Sequence, residues 1–340
     1  MRIGLVGYAN GGRLFHAPYI TAAQGIELAG VVTTNARRRG ELARDYPGMP
    51  AYDTLEDMLR AGVDAVTITT PPATRRDLVL RALAAGVHVV ADKPFAPSAA
   101  VARELAAAAA KADRLLCVFH NRRWDTDVRT VKAVLDSDRL GTLWRLESRF
   151  ELDQPEGLEA GPQGGLLRDL GTHVVDQMMW LLGPVASVHA ELDYVDLPAG
   201  RTDAGFAINM THRTGVRSRV FAGKLHLHIE KSWRAYGSEG SYVASGRDVQ
   251  TQDLLSGHRP ADLGERWGLE DPGYWGILRN AQGGTRIPSA RGAYQDYYTA
   301  FALAAQGKGP APVSTAEGIA LLEVLDAARL SASEGRVVHL

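Results

Sequence analysis

Five short apolar runs punctuate the first third of the chain: Arg2–Val6, Leu28–Thr33, Val63–Thr70, Val87–Ala91 and Leu115–Phe119. Between them apolar positions recur at helical spacing over Gly12–Ala23, Arg37–Asp45, Leu55–Ala61, Arg75–Ala85 and Ala99–Ala112. Runs that stay apolar from residue to residue suit strands covered on both faces. Alternating with helices, they predict βαβ units on a parallel sheet. The Ala106–Ala110 tract fits a tightly packed helix, because alanine is the best helix former.

After about residue 140 the pattern changes. Leu143–Leu152, Ser187–Tyr194, Phe206–Thr211 and Val216–Ala222 read as strands, with turn signals at Thr214-Gly215 and Gly237–Gly240. Leu225–Glu230 alternates strictly between apolar and polar, which predicts a strand with one face buried. One helix over Asp169–Leu182 precedes most of these strands and another, Thr315–Ser331, closes the chain. The expectation is an α/β protein of two domains. Residues 1–121 form a doubly wound parallel sheet. Residues 122–340 form an α+β domain for substrate binding and oligomerisation, with a large open, mostly antiparallel sheet, and the last helices pack back on the first domain.

Composition narrows the function classes. Of 340 residues 45% are hydrophobic and 23% charged, so the chain can bury a core. With 38 basic against 39 acidic residues the net charge is −1. That argues against nucleic acid or an anionic membrane as a partner, since such binders carry a basic surplus. A single cysteine, Cys117, excludes an intrachain disulfide and a cysteine-based zinc cage. No apolar stretch approaches the ~20 residues that span a bilayer, and the opening run is too short for a signal-peptide core. A cytoplasmic protein is expected.

The glycines matter by position. Gly7, Tyr8, Ala9, Asn10, Gly11, Gly12 and Arg13 follow the first apolar run and open the first helix. The dinucleotide fingerprint G-x-G-x-x-G belongs at this place; its first and third glycines are Gly7 and Gly12, and Ala9 stands for the second. Such a loop aims helix N–H groups at a pyrophosphate. The second strand of an NAD site ends on Asp or Glu, for the ribose 2′-hydroxyl. Here the stretch reads Thr33, Thr34, Asn35, Ala36, Arg37, Arg38, Arg39, which suits a 2′-phosphate. NADP(H) is therefore favoured, with NAD(H) the alternative.

Two further stretches carry chemistry. Asp92-Lys93-Pro94 ends the fourth apolar run, and open α/β sheets bind ligands beyond the carboxyl ends of their strands. Asp169 and His173 are four apart, so one helix would set them on one face, with Asp176 close by, as a proton relay requires. The same spacing also describes a helix cap beside a surface histidine. Tyr274, Trp275, Tyr294, Asp296, Tyr297 and Tyr298 read either as sugar contacts or as core. His226 and His228 share a strand face, but two histidines without partners do not make a metal site, and none is expected.

Taken in order, the glycine loop, Asp92-Lys93-Pro94 and Asp169 with His173 resemble the family of glucose–fructose oxidoreductase, inositol dehydrogenase and MocA. Phe15-His16-Ala17-Pro18, Thr69-Thr70-Pro71-Pro72, Val118–Asp125 and Gly237–Tyr242 resemble the branch of NADP-dependent scyllo-inositol dehydrogenases. Ala9 and Arg75, where many relatives carry His, depart from the pattern. The resemblance implies a Rossmann domain plus an open-faced sheet domain, and hydride transfer between nicotinamide C4 and a hydroxyl or keto carbon of a cyclic polyol or sugar. Lys93 would bond the reacting hydroxyl, His173 would exchange its proton, and Asp169 would position substrate or His173. Thr70, Pro71, Asp92 and Asn121 would border the cofactor, and Arg123 and Trp124 the substrate, in a cleft between the domains. The open sheet face points to a homodimer or homotetramer. A non-catalytic, NADP-responsive regulator on the same fold is the competing reading; loss of Lys93 or His173 would be its mark, and both are present.

Overall fold

The structure, a computed structural model, describes residues 1–161 and 164–340. Two compact units emerge. The first comprises Met1–Asn121, Asp253–Trp267 and Tyr294–Ile319, the second Arg122–Gln252, Gly268–Ala293 and Ala320–Leu340.

In the first unit the strands are β1 Arg2–Val6, β2 Glu27–Val32, β3 Ala51–Tyr52, β4 Ala65–Ile68, β5 His88–Ala91 and β6 Leu116–Val118. They pair in parallel in the order β3-β2-β1-β4-β5-β6. Ile3, Leu5, Val31, Val66, Ile68, Val89 and Val90 are fully buried, so these runs are apolar because helices cover both faces. The order in which strands are added reverses between β1 and β4, and ligands of such sheets lie outside that switch point. The two-residue edge strand β3 was not anticipated; so short a segment carries no periodicity. The helix Gln295–Ala305 belongs to this unit and buries Tyr297, Tyr298 and Phe301.

The second unit is built on β7 Leu143–Asp153, β8 Val185–Leu197, β9 Gly200–His212, β10 Arg217–Gly223, β11 Leu225–Gly237, β12 Gly240–Ser245, β13 Ile277–Asn280, β14 Gly283–Arg286 and β15 Val338–His339. Among the described residues they make one sheet, β14-β13-β12-β11-β7-β10-β9-β8-β15, antiparallel except for the β10–β7 pair. This is the open, mostly antiparallel sheet expected. One face packs Leu146, Phe150, Ile208, Val220 and Trp233 against Val128, Val174, Met178 and Leu325 from helices. The other carries Arg145, Glu147, Arg149, Arg219 and Phe221, with Arg145–Glu147 at 2.7 Å and the Arg149 guanidinium 4.4 Å over the Phe221 ring.

One expectation fails here. Residues 225–229 are strand, yet all five are exposed, Leu227 at 89% and Ile229 at 66%. The ladder explains it. Leu225 pairs with Asp153 and Glu230 with Glu151, so five steps along β11 face only two along β7. The surplus residues leave the ladder as an extended bulge and bury neither side.

Candidate active site

The glycine loop lies at the switch point. Gly7 follows β1 with φ +103°, a conformation an L side chain resists, and its N–H donates to Val32 O at 3.0 Å. A Cβ on Gly12 would collide with Gly7 O and stand 3.0 Å from Thr69 Oγ1. Thr69, after β4, donates its hydroxyl to Gly7 O at 3.0 Å and locks the loop. The turn is thus tight enough for backbone to approach a pyrophosphate, and the residues fit a dinucleotide. Beside it opens a cleft of ≈ 350 Å³ lined by Tyr8, Ala9, Asn10, Gly11, Asn35, Arg37, Arg38 and Glu41.

The expected cofactor contacts sort themselves here. Tyr8 is buried and its hydroxyl donates to Asp45 at 3.0 Å, so only its backbone serves the loop. Arg13 forks onto the same Asp45, at 2.6 and 3.1 Å. Asn35 caps the helix Ala36–Asp45, accepting from Arg38 N. Thr33 is buried and Thr34 exposed. Of the three arginines, Arg37 pairs with Glu41 at 3.1 Å, and Arg39 donates to Thr33 O and Asp53. Arg38 alone of the three lines the cleft without an ion pair among the described residues. Glu41, which sequence reasoning missed, places a carboxylate in this cleft, neutralised by Arg37 and by Arg13 at 3.8 Å.

Asp92 and Lys93 follow β5. The Asp92 carboxylate accepts from Lys93 N at 2.8 Å, and its Oδ2 comes within 3.5 Å of where a Gly11 Cβ would stand, beside the loop. Behind it runs a buried polar thread. His16 Nε2 faces Asp92 Oδ1 at 3.4 Å, Nδ1 meets Tyr298 hydroxyl at 2.6 Å, and Tyr298 reaches Thr67 Oγ1 at 3.3 Å. Arg75, the departure noted above, is buried and donates to the carbonyls of Thr70, Asp92 and Pro94, stapling the end of β5 to the end of β4. Pro71 stands at the start of the helix Pro72–Ala84.

Burial pushes the Asp92 carboxyl up, but facing His16, with Arg75 and Lys93 near, outweighs burial and holds it down at about 2. A folded-state value below the ordinary 3.8 contributes stability above pH ~4 that is lost as pH falls toward 2. Asp92→Asn should therefore flatten this limb: between pH 4 and 2 the wild type should lose about 2 kcal/mol more stability than the variant. Denaturant titrations at pH 4 and 2 check it, and equal losses would contradict the assignment.

The second unit holds the other half of the expected constellation. Asp169 ends a short helix, Leu166–Asp169; after Leu170 a second helix, Gly171–Leu182, carries His173, buried at 6%. The single helix expected over Asp169–Leu182 is thus two segments. Asp203 from β9 accepts from Leu167 N at 2.6 Å and lies where a Gly165 side chain would go. Asp176 does not join the relay. Its carboxylate takes both branches of Arg123, at 2.8 and 2.6 Å, with both side chains 4% exposed. Trp124 is half-buried, its carbonyl accepting from Ala293 N and Gln250 Nε2. Asn121, in the first unit, is buried.

Tyr294, Tyr297 and Tyr298 are fully buried; Tyr297 donates to Val118 O at 2.9 Å, so these aromatics are core. Asp296 is exposed, Trp275 half-buried and Tyr274 exposed under the Arg247 guanidinium. His226 has an acidic neighbour, Glu151, at 2.7 Å, but among the described residues no group of three or more metal-ligating side chains occurs. Sequence reasoning missed Lys224. Its ammonium donates to Asp169 Oδ2 at 2.7 Å and to Gly157 O at 2.8 Å. Lys224 stands between two strand-like runs with no motif around it; the partner 55 positions away makes it visible.

Residues 1–120 match the family described as oxidoreductase family, NAD-binding Rossmann fold, and residues 128–243 the GFO/IDH/MocA C-terminal domain. An uncharacterized oxidoreductase of Escherichia coli K12, YdgJ, is 33% identical over 96% of this chain and 94% of its own. The scyllo-inositol 2-dehydrogenase (NADP(+)) IolW of Bacillus subtilis is 28% identical over 100% and 96%. The structure of the oxidoreductase yvaA of Bacillus subtilis superposes with a TM-score of 0.91 at 28% identity, covering 100% of this chain and 98% of that one. No helix among the described residues is long and apolar enough to cross a membrane.

Proposed function

The chain belongs to the Gfo/Idh/MocA oxidoreductases, and from that premise we propose that it is an NADP(H)-dependent dehydrogenase acting on a hydroxyl or keto carbon of a cyclic polyol or sugar. The observation that carries this reading is the gathering of the locked glycine loop, Thr69 and Lys93 at the carboxyl ends of β1, β4 and β5. Bound there, the nicotinamide supplies hydride for reduction or accepts it in oxidation.

The chain's own residues manage the proton and the charge. Lys93 places an ammonium where negative charge develops on the substrate oxygen. His173 gives the proton to that oxygen in reduction and takes it in oxidation, so the carbon gains or loses hydride only as its oxygen gains or loses a proton. Asp169 accepts from a substrate hydroxyl. The turn at Gly7–Gly12 would hold the pyrophosphate with backbone N–H groups, and Thr70, Pro71, Asp92 and Asn121 would border the nicotinamide half. The IolW relative, named for scyllo-inositol and NADP(+), supports both substrate class and cofactor. Self-association rests on the open sheet face with its Arg–Glu pairs, and sedimentation velocity tests it.

The test of the function is direct: mix the protein with NADPH or NADH and a panel of inososes and keto-sugars, then follow nicotinamide absorbance. Turnover with NADPH on a cyclic ketone is expected. Tight NADPH binding with no turnover on any substrate would favour the regulator instead. Cofactor choice has its own variant. Arg38 is the cleft arginine without an ion pair among the described residues, so Arg38→Ala should weaken NADPH about 10–100-fold and leave NADH nearly unchanged, the scale of one charge-assisted phosphate contact. Fluorescence titrations with both cofactors decide it; equal losses would remove Arg38 from the phosphate.

A further inference from the structure

We propose that Lys224 is a positioning residue that fixes Asp169 as the hydroxyl acceptor of the substrate site and sets its preference for uncharged diols; this rests on the dehydrogenase reading above. Lys224 occupies the corner between β10 and β11 and is pinned on both sides. Its N–H donates to Ala204 O at 3.0 Å, and its carbonyl accepts from Gln154 N at 2.9 Å. The side chain is therefore aimed by the sheet rather than by solvent. Its ammonium has two fixed acceptors, Gly157 O and Asp169 Oδ2.

Exposure is unequal along the pair: the Lys224 side chain is 9% exposed and that of Asp169 45%. The cation is sunk behind the carboxylate, which is presented outward. Three consequences follow. The carboxylate loses the freedom to swing, since its partner cannot move with it. An acceptor held this way bonds a hydroxyl without first being ordered. Its charge is balanced from behind, so the site offers hydrogen-bond acceptance with little net charge, while an incoming carboxylate would find an oxygen that cannot donate. Gly157 belongs to the same device, because a Cβ there would stand 3.0 Å from Nζ.

The role is tested on the full-length enzyme with Lys224→Met, Lys224→Arg and Gly157→Ala, using the cyclic polyol turned over best and its analogue lacking the hydroxyl next to the reacting carbon. A hydrogen bond to a charged group sets the scale: Lys224→Met should raise the polyol KM about 10–100-fold with kcat changed less than about threefold. NADPH affinity by fluorescence should stay within about twofold, since the partners of Lys224, Gly157 and Asp169, lie in the second unit and the glycine loop is built within the first. Lys224→Arg should restore most of the KM, and Gly157→Ala should raise it less than Lys224→Met does. On the deoxy analogue the Lys224→Met penalty should shrink to about threefold or less, because the acceptor then has no hydroxyl to meet.

An unchanged polyol KM in Lys224→Met, an equal penalty on the deoxy analogue, or a parallel loss of NADPH affinity overturns the role while leaving the dehydrogenase reading intact. A wild-type enzyme that neither oxidises nor, by calorimetry with NADP+, binds any cyclic polyol overturns the dehydrogenase reading and this role with it.

Discussion

Lys93→Met should lower kcat by about 10³-fold or more while NADPH binding stays within about twofold. The geometry separates the two effects. Lys93 follows β5, and its backbone N–H is held by the Asp92 carboxylate, so the stem leaves a fixed point. Methionine keeps the length and apolar bulk of that stem and removes only the ammonium. What is lost is a charge aimed at the oxygen that becomes alkoxide-like. One such donor contributes ~10²–10³ in rate, and its share in proton movement adds to that. The turn at Gly7–Gly12 is held by Val32 O and by the Thr69 hydroxyl, which the substitution leaves in place, so cofactor binding should survive. Single-turnover absorbance with saturating NADPH measures the first, and fluorescence titration the second. A variant keeping more than a tenth of wild-type kcat would take Lys93 out of the chemistry.

The first unit was legible because its signals are local. A run apolar at nearly every position is a strand buried on both faces; β1, β4, β5 and β6 lie within such runs, and β2 starts one residue ahead of its run, at Glu27. The glycine loop could be read because a positive φ at Gly7 and the missing Cβ at Gly12 demand one residue type. The second unit was legible in outline only. Alternation over Leu225–Glu230 does show a strand, but alternation cannot show whether the ladder beside it has an equal number of residues. Here it does not, and the apolar positions face outward.

The candidate residues divide along the same line. Asp92, Lys93, Asp169 and His173 sit at strand and helix ends that sequence spacing locates. Their supports do not. His16 reaches Tyr298 across 282 positions, and Lys224 reaches Asp169 across 55. Arg75 looked like a flaw in the cofactor loop and is instead a staple on three carbonyls. The three arginines after β2 appeared equivalent, yet Glu41 and Asp53 claim two of them and leave Arg38. Spacing places a side chain on a face; only the partner across the fold says what that face does.

Asp176 shows the cost of such a partner. Asp176→Ala should destabilise the protein by about 3–5 kcal/mol, because it strips a buried guanidinium of the carboxylate that both branches grip. For a unit of this size that is a fall in melting temperature of roughly 6–20 °C. The sign is set by desolvation: folding has already taken Arg123 out of water, and the substitution removes the negative charge that balances it there. Replacing both partners with leucine should recover much of the loss, since the charge to be compensated is gone. Under the proposed function the pair would also bear on the chemistry. Gln177 Nε2, next on the same helix, donates to Arg122 O at 3.2 Å, so Asp176 and Gln177 together hold residues 122–124 against the helix that carries His173. Loosening that grip should lower kcat in Asp176→Ala, with the NADPH affinity held. If the paired leucine variant regains stability and also keeps the polyol KM, Arg123 is a brace for the His173 helix. If stability returns while KM rises tenfold or more, the guanidinium reaches substrate as the sequence first suggested. Calorimetric melts and steady-state kinetics on the single and paired variants separate these outcomes.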